Sequence, residues 1–151
     1  GMGRLSMTVH FRKLDDRAVT PTYGSAAAAG ADLYAVLDAP LNLNAGETAL
    51  VHTGLAVEIP AGYVGLVCAR SGLATKRGLA PANKVGVIDA DYRGELIVAL
   101  HNHSGAHQTI DAGERIAQLL ILPYLTAEFT EVDALSDTVR GGGGFGSTGT
   151  K

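Results

Sequence analysis

Three stretches of this 151-residue chain place chemically capable side chains at a useful spacing. Ala69-Arg70-Ser71-Gly72 joins an apolar run to a short helical pattern. Backbone N–H groups at a helix start, a hydroxyl and a guanidinium together make an anion site. The same residues also describe an ordinary capped helix with a surface arginine. Asn83 to Gly94 reads as a strand, a carboxylate-bearing turn and a return strand. Gly86 would let a planar ligand approach the backbone, Asp89 is a candidate general base, and Tyr92 offers a flat stacking surface. A plainer reading has Asp89 and Asp91 only shaping the turn. Arg140 to Gly149 combines glycine-exposed N–H groups with Arg140, Phe145, Ser147 and Thr148, which suits a lid over a phosphorylated aromatic ligand. A disordered tail is the alternative, though these side chains are unusual in a linker.

The elements that must position these residues are short and β-rich. Strands are expected at 8–11, 31–36, 48–59, 63–68, 85–88, 95–102, 108–110, 116–123 and 128–131, with punctuation such as Asn44-Ala45-Gly46, Pro60-Ala61-Gly62 and Asp111-Ala112-Gly113. Regular spacing of this kind points to an all-β sandwich or jelly-roll barrel. One short helix is expected at Ser71–Arg77, with Ser71 as N-cap and Lys76 and Arg77 satisfying its C-terminus or lying on the surface. Residues 4–139 then form one barrel domain and 140–151 a mobile tail, because six glycines and no aliphatic side chain in the last twelve residues give little to bury. Gly1-Met2-Gly3 reads as an expression remnant.

Composition sets the outer bounds. A hydrophobic share of 46% with 18% charged residues describes an ordinary globular chain, and without Trp the core must come mainly from Val, Ile, Leu and Ala. A net charge of −3 and no basic run argue against nucleic acid as a partner. No apolar stretch approaches a membrane span and no signal segment is visible, so a cytoplasmic setting is expected. Cys68 is alone, and a buried, inert state is expected for it.

Five segments in order, Ala29-Gly30-Ala31-Asp32-Leu33-Tyr34-Ala35, Ala69-Arg70-Ser71-Gly72, Asn83 to Gly94, Gly113-Glu114-Arg115-Ile116-Ala117-Gln118-Leu119 and Arg140 to Gly149, resemble the motifs of trimeric dUTP diphosphatases. The resemblance covers nearly the whole chain. Ala69 departs from it where many relatives carry proline, a change expected to alter backbone stiffness more than function.

The resemblance implies hydrolysis of dUTP to dUMP and pyrophosphate, a distorted jelly-roll homotrimer, and Mg²⁺ held mostly by triphosphate and water. Asp89 would deprotonate the attacking water. Asn83, with backbone near Gly86 and Ile97, would read the uracil edge. Tyr92 would pack under the deoxyribose. Arg70, Ser71, Gly72 and Gln118 would hold the phosphates, while Arg140, Ser147 and Thr148 close over them and Phe145 covers the base. Asp32 would bind metal-coordinated water.

The related dCTP deaminases place a catalytic glutamate where this chain has Ala99, which removes their acid–base group. A non-catalytic nucleotide-binding module would be expected to lose the base or the lid, and both are present. His101-Asn102-His103 with His107 invites a zinc reading, but no Cys or acidic partner follows at ligand spacing.

Overall fold

The computed structural model describes residues 5–144. In chain order the strands are β1 (His10–Lys13), β2 (Thr22–Tyr23), β3 (Ala31–Tyr34), β4 (Leu41–Leu43), β5 (Thr48–Glu58), β6 (Tyr63–Cys68), β7 (Leu79–Pro81), β8 (Gly86–Ile88), β9 (Glu95–Asn102), β10 (Gln108–Ile110) and β11 (Arg115–Pro123). One helix, α1 (Ser71–Arg77), lies between β6 and β7. The fold is the expected all-β one with a single short helix.

Two main sheets share the core. One runs β1-β5-β9-β7 and the other β2-β3-β11-β6-β8, with a separate β10-β4 pair. Alternation sorts the side chains: along β9, Leu96, Val98, Leu100 and Asn102 point inward while Glu95, Ile97, Ala99 and His101 face out. Leu33 of one sheet and Val51, Leu96 and Leu100 of the other are fully or almost fully buried in a single apolar cluster. Each such side chain contributes about 2 kcal/mol through its removal from water. Asn102 is the polar exception. Its amide donates to the carbonyls of Leu43 (3.0 Å) and Ala106 (2.8 Å), and its oxygen accepts from the N–H and hydroxyl of Ser104. A fully satisfied amide of this kind fastens the β9 end to the loop that follows.

Several expectations need correction. β1 begins two residues later than residues 8–11, and the strands at 22–23, 41–43 and 79–81 carry too few residues to show a period. Residues 128–131 form no strand: the chain from 124 to 139 runs without regular structure, with Leu125, Phe129, Leu135 and Val139 almost wholly exposed. Their side chains have the right types for a strand but find no partner within one chain. Cys68 is half-buried rather than buried, because Gly65 and Val67 take the core-facing positions of β6. Among the described residues no helix is long and apolar enough to cross a membrane.

Candidate active site

β11 lies between β3 and β6, and its register brings the first cluster together. Gln118 stands opposite Asp32 on one side and opposite Cys68 on the other. Its amide nitrogen donates to the Ala69 carbonyl at 2.9 Å. Its amide oxygen occupies the space beside Gly30, where an added Cβ would lie only 2.1 Å away. Asp32 is buried, and its Oδ1 accepts from Arg70 Nε at 3.0 Å while Oδ2 lies 3.7 Å from Arg115 Nη1. A carboxylate withdrawn from water requires such partners, because an unpaired buried charge is strongly destabilising. Two guanidiniums around one carboxylate leave this corner with excess positive charge, suited to an anionic ligand.

Arg115 belongs to a segment singled out above but received no role there. Only the register, including the irregularity between Arg115 and Ala117, aims it at Asp32, and no spacing rule reveals that.

Ser71 begins α1 but does not cap it. Arg70 is the N-cap residue, with extended φ −90° and ψ 129°, and no side chain caps the helix start. The Arg70 side chain is instead drawn to Asp32. Ser71 and Gly72 are exposed at the first turn. At the other end Gly78 adopts the left-handed conformation, φ 66°, and its N–H caps the helix. Arg77 does more than serve the helix terminus: it pairs with Glu114 Oε1 at 2.7 Å and also donates to the Thr109 carbonyl.

The hairpin forms the second cluster. β8 pairs with β6, and Gly86 is buried against it, with Val67 Cβ and Asn83 Nδ2 each 3.3 Å from where a Cβ would be. Lys84, with φ 68°, turns the chain between Asn83 and β8. Asp89 lines an open concavity of about 600 Å³ with Ala61, Val64, Val87, Ala90, Asp91 and Tyr124. No side chain among the described residues engages the Asp89 carboxylate. Tyr92 lies across Gly94, where a Cβ would come within 2.5 Å of its hydroxyl oxygen, and donates that hydroxyl to the Glu95 carbonyl at 2.8 Å. Ile97 is partly exposed on the outer face of β9, opposite His52.

Asp89 and Arg70 do not meet within one chain, although Gly86 at the other end of β8 pairs with Val67, close to the Arg70 corner. Ile88 stands opposite Gly65, so Asp89 lies near the start of β6, whereas Arg70 follows its end. At about 3.3 Å per residue, the run from Val64 to Arg70 separates them by roughly 20 Å. Arg140 turns back on itself, donating to the Gly143 carbonyl. Phe145, Ser147 and Thr148 lie outside the described residues.

Comparison with known proteins shows the family. The dUTPase family model matches residues 16–149. The deoxyuridine 5'-triphosphate nucleotidohydrolase of Desulfitobacterium hafniense is 46% identical over 149 residues, covering 98% of this chain and 99% of that protein. The protein of the same name from Nautilia profundicola is 48% identical over 143 residues, covering 95% and 99%. Among solved structures, the Staphylococcus bacteriophage 80alpha dUTPase with dUpNHpp matches with a TM-score of 0.84 at 31% identity, covering 94% of this chain and 98% of that one. The chain belongs to the dUTPase family.

Proposed function

We propose that the chain hydrolyses dUTP to dUMP and pyrophosphate by attack of water on the α-phosphorus, which keeps uracil out of DNA and supplies dUMP for dTMP synthesis. One contrast carries the mechanistic reading. Asp32 is pinned between two guanidiniums, whereas the Asp89 carboxylate opens into a concavity and is engaged by no other side chain among the described residues. A pinned carboxylate positions its neighbours; an unengaged one can take a proton. Asp89 is therefore the general base.

Arg70, Ser71, Gly72 and Gln118 hold the phosphate chain, and Arg115 adds positive charge beside them. Asn83 and the backbone around Gly86 and Ile97 read the uracil edge. Tyr92 lies under the sugar, where a 2′-hydroxyl would clash. Residues 4–139 form the body of the enzyme and 140–151 its lid: Arg140, Ser147 and Thr148 close over the phosphates while Phe145 covers the base.

Mg²⁺ fits the residues present. No three His, Cys, Asp or Glu side chains gather as a cage among the described residues. Asp32 is a hard oxygen donor with acceptor capacity beyond its two cationic partners. Such a donor set suits a hard cation held by phosphate and water, with Asp32 accepting from a water of its shell. Bound Mg²⁺ supplies charge neutralisation on the triphosphate.

Three chains assemble so that the hairpin of one faces the Arg70 corner of a second and the lid arrives from a third. The separation of Asp89 from Arg70 and the exposed apolar arm at 124–139 both favour this assembly. The nucleotide is soluble, and the enzyme works on it in the cytoplasm. Pyrophosphate release from dUTP, dCTP, dTTP and UTP with Mg²⁺ tests the reading. Release from dUTP alone, lost in Asp89→Asn, is expected. Ammonia from dCTP would contradict it, as would no release from any substrate.

A further inference from the structure

β5 carries a distortion opposite the point where β9 leaves the hairpin. Pairing passes from His52↔Ile97 to Ala56↔Glu95, so Thr53, Gly54 and Leu55 together oppose Leu96. Bulging strands leave backbone groups without a ladder partner, and here the partners are supplied locally. Thr53 Oγ1 donates to the Leu96 carbonyl at 2.6 Å, and the Gly54 N–H donates to Glu95 Oε2 at 2.9 Å. Gly54 has φ 70°, and a Cβ there would sit 2.9 Å from Ala18 Cβ. The other carboxylate oxygen, Oε1, lies 2.9 Å from His52 Nδ1. Both oxygens of the Glu95 side chain are thereby tied to β5, and that side chain is only 21% exposed.

The main chain of the same residue holds the hairpin. The Tyr92 hydroxyl donates to the Glu95 carbonyl at 2.8 Å, and the ring is pressed over Gly94. A continuous chain of bonds therefore runs from the β5 bulge through Glu95 to the aromatic ring. We propose that Glu95 is a positioning residue that locks Tyr92 in place and so sets how strictly the enzyme rejects a 2′-hydroxyl.

This rests on the reading of Tyr92 as the surface under the deoxyribose. A ring free to tilt leaves room for the extra oxygen, whereas a ring held at both its hydroxyl and its backbone does not. Glu95 touches no substrate in this scheme. Its removal loosens a wall and leaves the phosphate corner and Asp89 as they are.

The experiment compares kcat/KM for dUTP and for UTP in the wild type, Glu95→Ala, Glu95→Gln, Tyr92→Ala, Tyr92→Phe and the Glu95→Ala/Tyr92→Phe double variant, with thermal melting of each. Loss of an ordering hydrogen bond is expected to lower the dUTP/UTP ratio about tenfold in Glu95→Ala, through a gain on UTP rather than a general loss of kcat. Glu95→Gln keeps an acceptor for Gly54 N–H and recovers most of the ratio. In the double variant the two losses overlap rather than add, because both break one chain of contacts. An unchanged ratio in Glu95→Ala, with Tyr92→Ala relaxed, overturns the role of Glu95 and leaves the sugar-wall reading intact. An unchanged ratio in Tyr92→Ala overturns the sugar-wall reading itself. If Glu95→Ala does not fold, Glu95→Asp takes its place, since its shorter side chain cannot reach both the Gly54 N–H and His52: an unchanged dUTP/UTP ratio there, with Tyr92→Ala relaxed, contradicts the proposal.

Discussion

Arg70 reaches back from the start of α1 to Asp32 on β3, with 3.0 Å between Nε and Oδ1, so the guanidinium is aimed before any ligand arrives. Asp32→Asn removes the charge that aims both Arg70 and Arg115. KM for dUTP should rise about tenfold or more, on the scale of a lost charge-assisted hydrogen bond. Steady-state kinetics with a melting curve checks this. An unchanged KM in a folded variant would show that Arg70 needs no orientation.

Gly30 and Gln118 make a related prediction. An added Cβ at Gly30 meets the far end of the Gln118 side chain first, so Gly30→Ala should displace the amide and break its 2.9 Å bond to Ala69. The amide end can swing aside, but the Gln118 Cβ, 3.0 Å from the added carbon, must also give, so the melting temperature should fall by about 3–4 °C while KM for dUTP rises about tenfold. A large fall in melting temperature with unchanged KM would contradict this.

Asn102 is a matter of stability, not catalysis. Asn102→Ala takes the side-chain partner from the Leu43 carbonyl and the Ser104 N–H, and removes one of the two donors to the Ala106 carbonyl, which keeps the Ser104 hydroxyl. Orphaned buried groups of this kind cost about 2–4 kcal/mol. The melting temperature should therefore fall by on the order of 10 °C.

The Arg77–Glu114 pair predicts a pH dependence. Partial burial alone would push the Glu114 carboxyl up, but the hydrogen bond from Arg77, the Asp111 N–H and the Arg77 charge outweigh it and hold the carboxyl below its ordinary value of 4.5. A depressed folded value means that the unfolded chain binds the proton more readily. The pair's stabilisation is thus fully present above pH 4.5 and is lost as pH falls through the lower folded value. Glu114→Gln should flatten this part of the melting profile below pH 4.5 and leave the slope at neutral pH unchanged.

Much of this architecture was legible in the sequence. β5, β6, β9 and β11 show enough alternation or apolar content to be found within a residue or two. β2, β4 and β7 do not, because two or three residues carry no period. The arm at 128–131 misled because strand-forming side chains say nothing about whether a partner is present. Ser71 could not cap because the helix begins one residue early: Ser71 is already its first residue, and the extended N-cap position falls to Arg70, which has no acceptor to offer the free N–H groups. The site was legible as a set of residue types, but its internal geometry was not. That Arg115 reaches Asp32 and Glu95 holds Tyr92 follows from register and a bulge, which motifs do not encode. Nor does motif order reveal that Asp89 and Arg70 lie at opposite ends of β6.

Complementation between two damaged chains tests the account most directly. Asp89→Asn and Arg70→Gln should each be nearly inactive towards dUTP with Mg²⁺. Co-expressed and purified as mixed assemblies, verified by native mass spectrometry, they should regain pyrophosphate release, because some sites then take an intact Asp89 from one chain and an intact Arg70 from another. Mixed assemblies without recovered activity would contradict a dUTP-hydrolysing site built between chains.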